Sequence, residues 1–590
     1  MKKKGLFLLL FTYFILFNVE NVRADSVQAS NIGELENLVN NATEARTIVL
    51  SSDFPTIINK SITLKENSNS PIIIDGQQKI LTPDGVNPII SYGGGGASSD
   101  ASLTIKNMFF QGNGAHSRAL YTNGYKGNLA LENVSVSDFH ADDDGGAMYV
   151  QGNTSIRNST FKNNSSNAPG YSGGAIGGKG FSSSLIIENS TFENNKTLAL
   201  GTGPVGGEGG AIYMYAPSSS AIFHFKNNYF KENSAVENAS GNGATLADGG
   251  AIAFFNVLPG VDIQFDGNTF DRNIAGDNGG AILIQTNDTI NEGILFKNNT
   301  FFRNVAQGTS TPTESGGAIQ IYTNGGRSTF RKTYVDFVNN TFVANEAKTS
   351  GGAIGFAGAP YFNTSSGRFS NNIFVDNKAS TSKYNAVAGS VSTPKNQNNL
   401  GFDNGTNNTI SANDVFGTLP YDLVKNYTTI MAGSSDSREY VPTLPIAPEK
   451  KANKKVAAGP DNLNVDQRSE IREIPSDIGS VEISWIKYDS NGGNFTFTSL
   501  PSVYDGTEYY ESLKPSEYYQ VGTNPSSKTI PSGINDLGIT RSGWTFLGWS
   551  KDKDAKSPDE KFIENTTITL KSNDVDSLYD DTLYAVWKKE

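Results

Sequence analysis

The 590-residue sequence contains no cysteine, and it has only three histidines, four tryptophans and five methionines. Without cysteine the chain can form neither a disulfide bond nor a thiolate metal site. Basic residues are not in excess either, since the formal net charge is −12 and the pI is about 5.0. This balance argues against a nucleic-acid-binding protein and against a protein that binds membranes through a basic surface.

The first 24 residues are organised like a secretory signal peptide. Lys2–Lys4 form a charged start, Leu6–Phe17 is nearly all apolar, and Val22-Arg23-Ala24 ends in a small residue suited to cleavage. We therefore predict a secreted chain that starts near Asp25, with no transmembrane segment in the mature chain. The alternative is an uncleaved membrane anchor, for which the apolar core is short.

Export without cysteine favours a Gram-positive surface protein. A Leu-Pro-x-Thr-Gly signal and an apolar tail before Glu590 are both lacking. We therefore expect the protein to be released or held non-covalently at the cell wall.

A repeat built from two short elements runs through the middle of the chain. Gly-Gly-Ala followed by Ile or Met occurs seven times, at separations of 28, 36, 40, 30, 37 and 35 residues. Repeat periods of 20–50 residues indicate a solenoid, a propeller or an array. The Gly-Gly-Ala copies start at Gly145, Gly173, Gly209, Gly249, Gly279, Gly316 and Gly351. The second element, Asn-x-x-Phe-x-x-Asn, has its phenylalanine at Phe110, Phe161, Phe192, Phe230, Phe301, Phe342 and Phe374.

The segments between the turns are short apolar alternations bounded by Asn and Gly, which predicts strands of about four to six residues. The copies contain no amphipathic helix of 10–15 residues, which disfavours leucine-rich, ankyrin and tetratricopeptide repeats. We predict an all-β right-handed parallel β-helix, in which like residues of successive coils stack about 4.8 Å apart. Asn suits the turns because it tolerates left-handed torsions and forms ladders. The Ile residues after Gly-Gly-Ala should form one interior column: Ile176, Ile212, Ile252, Ile282, Ile319 and Ile354.

The β-helix is expected to span residues 25–482, with regular repeats over 101–377. Asn31–Asn41 is predicted to be a short amphipathic cap helix, with Leu35, Leu38 and Val39 on one face. Segment 441–482 ends in D-x-R…R…D-I-G-S-x-E (Asp466, Arg468, Arg472, Asp477), which resembles the segment that closes many secreted bacterial β-helix proteins. Ser469 and Ser480 depart from the usual Gly and Ala. A disordered linker over 432–478 is the alternative.

Taken with the run I-x-L…I-I-I-D-G-Q…I-L at the start, the repeat resembles the pectate-lyase-like β-helix superfamily, most closely its adhesin-like bacterial branch. The resemblance covers about residues 25–482 and implies the fold more strongly than an activity.

Residues 483–590 have a different pattern. The three pieces Y-D-S-N-G-G, G-W-T-F-L-G-W and L-Y-A-V-W resemble the internalin-type B-repeat, also called the Listeria-Bacteroides repeat. Trp544 replaces the usual Tyr, and the interval from Gly493 to Gly543 is long. The resemblance implies a small β-grasp-like module that serves as a spacer or interaction unit, in which Trp549 and Trp587 belong to the core.

Motifs of known catalytic sites are missing. Gly-His-Gly and Arg-Ile-Lys are absent, no histidine has a paired Ser or Asp at a recognisable nucleophile motif, and the Gly-rich tracts contain no Gly-Lys-Ser/Thr. We therefore assign no catalytic and no cofactor-binding residue. The acidic run Asp142, Asp143 and Asp144 is the one candidate metal site, and Ca²⁺ is the one ion that it suggests. The alternative is that this run only fills the polar turn that precedes each Gly-Gly-Ala.

Aromatic residues in or beside the Gly-Gly-Ala strands are candidate ligand-binding residues. We assign this role to Tyr171, Tyr213 and Tyr215, with Phe254 and Phe255 nearby. The predicted function is adhesion, through binding of extracellular glycans or of host or bacterial surface proteins along a repetitive face. A Ca²⁺-dependent polysaccharide lyase or glycoside hydrolase, and a passive cell-wall spacer, are the alternatives. An Arg or Lys facing a carboxylate cluster would favour the lyase, whereas a flat polar face would favour binding.

Overall fold

The computed structural model describes most of the chain in segments. These are residues 26–65, 71–92, 102–122, 124, 127–167, 172–180, 183–198, 207–236, 247–286, 293–308, 315–323, 335–358, 368–380, 386–388, 396–401, 484–496, 508–514, 516–522, 527–569 and 581–590, with isolated positions between 415 and 480. The predicted signal peptide and the candidate Tyr171 lie outside the described residues.

Three parallel sheets run along the N-terminal part, and each coil contributes to them in turn. We call them sheet 1, sheet 2 and sheet 3. Within the described residues, sheet 1 contains Ser26–Ala29, Arg46–Leu50, Ile57–Ile58, Ile72–Pro83, Ser102–Gln111, Asn128–Ser137, Asn153–Arg157, Thr160–Lys162, Ser184–Glu188, Thr191–Glu193, Ile222–Lys226, Tyr229–Lys231, Asp262–Asp266, Thr269–Asp271, Ile294–Lys297, Thr300–Phe302, Val335–Val338, Thr341–Val343, Phe369–Ser370, Ile373–Val375 and Asn396–Gln397.

Sheets 2 and 3 are built from shorter strands. Sheet 2 contains His140–Ala141, Ser165–Ser166, Lys196–Leu198, Ser234–Val236, Ile274–Ala275, Val305–Ala306, Glu346–Ala347 and Lys378–Ala379. Sheet 3 contains Ile62–Leu64, Ile90–Tyr92, Leu120–Tyr121, Met148–Tyr149, Ile176–Lys179, Ile212–Tyr215, Ile252–Val257, Ile282–Thr286, Ile319–Thr323, Ile354–Gly358 and Val387–Ala388. Parallel pairing of equivalent strands from coil to coil defines a parallel β-helix and confirms the predicted fold class.

Stacked apolar columns fill the interior of the coils. Ile176 pairs with Ile212, and the column continues through the predicted isoleucines to Ile354. The phenylalanines of the second repeat element from Phe161 to Phe374, together with Phe270 of a degenerate copy, form another column, with ring centroids 4.8–5.0 Å apart and nearly parallel planes. A third column of stacked rings runs through Phe225, Phe265, Phe296, Phe337 and Phe369. One continuous core therefore extends along the solenoid.

Asparagine has two separate roles in each coil, at the bend inside sheet 1 and at the turn from sheet 1 to sheet 2. The first Asn of each Asn-x-x-Phe element has a left-handed backbone with φ between 49° and 60°, and Gly267 takes this position in one coil with φ 70°. Other asparagines point inward and form two buried ladders. One ladder contains Asn164, Asn195, Asn233, Asn273, Asn304, Asn345 and Asn377. The other contains Asn228, Asn268, Asn299, Asn340, Asn372 and Asn399.

Each ladder asparagine satisfies several buried polar groups at once. Asn195 Nδ2 donates to Phe161 O at 2.9 Å and to Asn233 Oδ1 at 2.9 Å. Its Oδ1 accepts from Asn164 N at 3.1 Å and from Asn164 Nδ2 at 3.0 Å. Without the asparagine side chain these buried groups would lack hydrogen bonds, which would lower the stability of the fold.

The glycine pair before each Ala-Ile strand is required for two different reasons. Gly145 has φ 75°, and a Cβ on Gly145 would also collide with Met148 O of the same turn. A Cβ on Gly146 would collide with Gly174 O of the next coil. The first glycine therefore provides the positive φ in every copy except that of Gly316, and the second permits close stacking of turns.

The N-terminal end has a short helix, Ile32–Asn40. Asn31 Oδ1 accepts from Glu34 N at 2.9 Å, and Leu35 and Val39 are buried against the first coils. The predicted helix differs from it by one residue at each end. Ser26–Ala29 already pairs with Arg46–Leu50, so a strand of sheet 1 precedes the helix.

Described residues near the predicted closing segment pack on the outside of sheet 1. Thr300 Oγ1 donates to Gln467 Oε1 at 2.6 Å, and Gln467 Nε2 donates to Thr269 Oγ1 at 2.8 Å. Arg472 Nη2 donates to Asn298 Oδ1 at 3.1 Å. These contacts bridge about 170 to 200 residues of sequence and hold the segment against several coils.

The described residues between 484 and 590 form a separate sheet. Its order is Glu508–Lys514, Glu517–Gly522, Ser484–Asp489, Asp581–Lys589 and Trp544–Ser550, with a parallel pairing between the third and fourth strands. The short strands Asn494–Phe495, Ile539–Thr540, Ser527–Thr529 and Thr567–Thr569 pair beside it. Trp549 is buried in the core, and Trp587 packs against that core with Nε1 donating to Ser490 O at 2.9 Å. Both tryptophans therefore lie where the sequence predicted.

The ladder makes a testable prediction. Replacing Asn195 with Ala removes the partners of Asn164 N and Phe161 O and one bond each from Asn164 Nδ2 and Asn233 Oδ1 in a buried turn. We therefore expect a loss of roughly 3 kcal/mol in unfolding free energy. Asn189 supplies only the left-handed backbone in the same coil, with φ 50°. Asn189→Gly is the matched control and should stay close to wild type. Urea unfolding followed by circular dichroism measures both, and equal losses would contradict the separation of roles.

Candidate functional site

A row of buried polar residues lies just before the glycine pairs, stacked from coil to coil. The residues of this row are Asp144, Ser172, Glu208, Asp248, Asn278, Ser315 and Ser350, all with less than a tenth of their surface exposed. Asn278 N donates to Asp248 Oδ1 at 2.8 Å, and Asp248 N donates to Glu208 Oε2 at 3.1 Å. The polar turn expected from the sequence is thus a hydrogen-bonded interior row.

Two neighbouring carboxyl groups of this row have raised pKa values. Burial, followed by the charges of Asp248 and Asp277, raises the pKa of Glu208 well above its usual value. Burial and the nearby Asp277 raise the pKa of Asp248 to about 8. Both shifts have the same physical cause, because like charges in a poorly hydrated row disfavour ionisation.

The three predicted metal-binding aspartates do not share one site. Asp142 is exposed and contacts His116, with Nδ1 to Oδ2 at 2.6 Å. Asp143 Oδ1 accepts from Asp144 N at 2.8 Å. Asp144 is buried, with its Oδ2 3.7 Å from Lys179 Nζ. Asp142 and Asp144 therefore point to different partners, His116 and Lys179.

The predicted aromatic residues also divide between different surroundings. Tyr213 points away from the core, yet it is only 1% exposed, because it packs with Ala253 and Leu283 in a small outer cluster. Tyr215 and Phe255 are half-buried at the edge of this cluster. Phe254 belongs to the interior core. Tyr215 and Phe255 are accordingly the accessible members of the predicted set.

Cationic and aromatic side chains meet on the outer face of sheet 3, at its third to fifth strands. Tyr121 and Tyr149 occupy equivalent positions in adjacent strands, with ring centroids 5.3 Å apart. The guanidinium carbon of Arg118 lies 5.2 Å from the centre of the Tyr121 ring. Two coils further, Lys179 Nζ lies 6.0 Å from the Tyr215 ring. We call Arg118, Tyr121, Asp144, Tyr149 and Lys179 the Arg118–Lys179 site.

The turn of one coil brings Asp144 to Lys179. Gly177 precedes Lys179 by two residues, and a Cβ on Gly177 would lie 2.5 Å from Gly145 N. The Asp144-Gly145 turn therefore lies directly over the glycine, and its carboxylate reaches the lysine of the next strand. A larger residue at 177 would push the turn away.

Buried polar atoms in this site lack hydrogen bonds within the described part of the chain. They are Arg118 Nη1 and Asp144 Oδ1, and both residues are about 4% exposed. Burial lowers the pKa of Arg118, although Asp143 opposes the shift, and burial raises the pKa of Asp144 to about 6 against the effect of Lys179. Buried groups of this kind are uncommon unless they serve structure or function.

The arrangement suits an anionic ligand with flat apolar faces. A guanidinium with a free N–H can bind a carboxylate, and stacked tyrosines can carry a sugar ring. Asp144 offers a carboxylate oxygen that can accept a proton or a hydroxyl hydrogen bond. A Cys- or His-based nucleophile is not among these residues.

Arg118, Tyr121, Tyr149 and Lys179 were not identified from the sequence. The signal was nevertheless present, since Arg118-Ala119-Leu120-Tyr121 aligns with Gly146-Ala147-Met148-Tyr149 at a separation of 28 residues. The structure pairs Leu120 with Met148. Arg118 thus replaces the second glycine in a degenerate copy of the repeat. A search for Ala-x-Tyr, without the two glycines, would have found this copy.

Comparisons with known proteins add little to this geometry. Neither a protein-family model nor a curated protein matches the chain. Among solved structures, a mutant of the PL6-family alginate lyase AlyGC matches at 12% identity and a TM-score of 0.31, covering 63% of this chain and 53% of that one. The chain therefore spans about half the length of that lyase, and the β-helix assignment rests on the strand register described above. Across the described residues no helix is long and apolar enough to cross a membrane.

The buried acidic row predicts an unusual pH dependence. In the unfolded chain Glu208 and Asp248 ionise near pH 4, whereas in the folded chain both keep their protons to higher pH. Their stabilising contributions are therefore complete below about pH 4, and that of Asp248 is lost as the pH rises through about 8. The contribution of Glu208 is lost as the pH rises through its own raised pKa. We expect the melting temperature of wild type to fall between pH 5 and pH 8 relative to the Glu208→Gln, Asp248→Asn double variant. Parallel melting curves at every pH would contradict this.

Proposed function

We propose that this is a secreted bacterial surface protein that binds an acidic polysaccharide on the outer face of sheet 3, through the Arg118–Lys179 site. The observation that carries the proposal is the buried guanidinium of Arg118, whose Nη1 makes no hydrogen bond within the described residues while the ring of Tyr121 lies beside it. A ligand carboxylate would supply the missing partner.

The aromatic residues favour a sugar ligand over a small anion. Tyr121 and Tyr149 form a tilted pair in adjacent coils, and Tyr215 and Phe255 continue the aromatic surface two and three coils further on. Adjacent coils are about 4.8 Å apart, so an extended chain crossing the coils could contact several of these side chains. Several weak contacts along one chain give useful avidity.

The charges favour an acidic polysaccharide over a neutral one. Lys179 lies on the same face, with its Nζ 3.7 Å from Asp144 Oδ2, and its ammonium group adds a second positive charge to that of Arg118. The protein as a whole carries a net charge of −12, so long-range attraction does not favour an anionic ligand. Affinity would then come from the local Arg and Lys.

A second candidate function is cleavage of the same polysaccharide by β-elimination. It is favoured by the juxtaposition of Arg118 and Lys179 with the Asp143-Asp144 pair, the arrangement that distinguishes a lyase from a flat binding face. Arg118 would neutralise the uronate carboxylate, and Asp144 would accept the proton from the adjacent carbon. The electron pair then forms the C=C bond, the C–O bond to the leaving sugar breaks, and Tyr149 would protonate the departing oxygen.

Binding can be tested with immobilised uronate polymers and a neutral glucan as reference. Lys179→Ala and Tyr149→Ala should each weaken uronate binding about tenfold, the effect expected for losing one charge-assisted bond or one aromatic contact. Lys226→Ala, an exposed lysine on sheet 1, is the matched control and should bind normally. Equal affinity for the neutral glucan, or an equal loss in the control, would contradict the proposal.

Cleavage can be tested separately by following the ultraviolet absorbance of unsaturated uronate products. If the second candidate function holds, Asp144→Asn should lower turnover by about 100-fold or more, the usual effect of removing a general base, while binding persists. Asp143→Asn keeps an acceptor for Asp144 N and should change turnover only a few-fold. Binding of uronate polymers without product formation by wild type would leave the protein a binding scaffold.

A further inference from the structure

Two of the three histidines in the chain meet in adjacent coils. His116 and His140 are 24 residues apart and form a parallel β-bridge, with Ser117 N donating to His140 O at 2.8 Å. Their rings are 5.0 Å apart, edge to face. Asp142 follows His140 by two residues, and alternate residues of an extended chain lie on the same side.

The three side chains present their ligand atoms to one point. One ligand atom from each of His116, His140 and Asp142 lies within 4.8 Å of the other two, a condition that no other group of three such residues meets in the described part of the chain. His116 Nδ1 lies 2.6 Å from Asp142 Oδ2. His116 and Asp142 are both more than half exposed, so an ion has access.

We propose that His116, His140 and Asp142 bind one Zn²⁺ ion. Two imidazoles and a carboxylate suit a borderline metal such as zinc, whereas Ca²⁺ prefers six or more oxygen ligands. Ligands on a tetrahedral zinc ion, with bonds of about 2.0–2.1 Å, lie about 3.3 Å from one another. His116 and Asp142 need to separate by less than an ångström, which two exposed side chains can do by rotation.

Neighbouring residues already support His140 as a ligand. Its Nδ1 lies 2.7 Å from Ser165 Oγ, the kind of contact that orients a metal-binding imidazole. Its Nε2 faces the Asn167 amide, with Nδ2 at 2.6 Å. Asn167 Oδ1 makes no hydrogen bond within the described residues, and turning the amide over would present this oxygen as a fourth ligand.

The ion would connect two successive coils at a defined place. His116 precedes Arg118 by two residues, and Asp142 precedes Asp144 by two. A zinc ion held by both segments would therefore limit the relative movement of the turns that carry the Arg118–Lys179 site. Zinc binding itself is independent of any polysaccharide and can be tested without one.

The third histidine provides an internal control. His224 Nε2 lies 2.9 Å from Asp262 Oδ2, so it also forms a histidine–carboxylate pair, but it has no second imidazole beside it within the described residues. If a single pair were enough to bind zinc, both places would bind it. The proposal requires the two-histidine cluster.

The experiment uses the full mature chain without a histidine tag. Calorimetric titration with Zn²⁺ should give one ion per chain, and Co²⁺ should give the visible absorption bands of a low-coordinate site. His116→Ala and Asp142→Ala should each weaken Zn²⁺ binding at least about tenfold, and Ser165→Ala should weaken it about tenfold through the orientation of His140. His224→Ala should bind as wild type, and a large excess of Ca²⁺ should not displace the zinc.

The outcomes separate a built site from adventitious binding. Failure of wild type to bind one equivalent, retention of binding by His116→Ala, or an equal loss in His224→Ala would each overturn the proposal. His116 and Asp142 are exposed, so their variants should keep the circular dichroism spectrum of wild type. If either does not, His116→Gln and Asp142→Asn replace them, with the same expected loss of zinc.

Discussion

The register between successive coils is the constraint on which the rest of this structure depends. Each strand pairs in parallel with its equivalent one coil further along, so every residue has the same type of neighbour above and below. Many buried side chains therefore stack on residues of the same type. Phenylalanine does so with rings about 4.8 Å apart, and asparagine does so by donating to the next amide of its ladder.

The same stacking disfavours ionisation wherever acidic side chains of successive coils are in register. Glu208 and Asp248 occupy equivalent positions and cannot both ionise easily, because nothing in the row compensates two buried negative charges. At Asp144 the row ends differently, because Lys179 of the next strand approaches the carboxylate. The position before the glycine pair is thus structural at Glu208 and Asp248, and it is part of a candidate site at Asp144.

Both candidate sites lie where residues depart from the repeat. Arg118 stands where later coils have glycine, and His116 and His140 stand where later coils of sheet 2 have Ser165 and Lys196. Residues that depart from a repeat are freed from the demands of stacking, and they can present different chemistry. A search for function in a solenoid can begin with such departures.

Much of the architecture followed from the sequence alone. The periods of Gly-Gly-Ala and Asn-x-x-Phe predicted the parallel β-helix and its isoleucine column, because these depend on local torsions and on repetition. The spacing of Leu35, Leu38 and Val39 predicted the cap helix. The sequence also predicted left-handed asparagines. It did not separate them from the ladder asparagines, since both kinds share the same short motif.

Tertiary structure alone decided which side chains meet. Tyr213 alternates outward as a binding residue would, yet neighbouring coils bury it, and Asp142 and Asp144 belong to one acidic run but turn to different partners. His116 and Arg118 acquire their neighbours only through the coil register, which brings together residues 24 to 28 positions apart. Local sequence determines the shape of a coil, whereas the site depends on the alignment of one coil with the next.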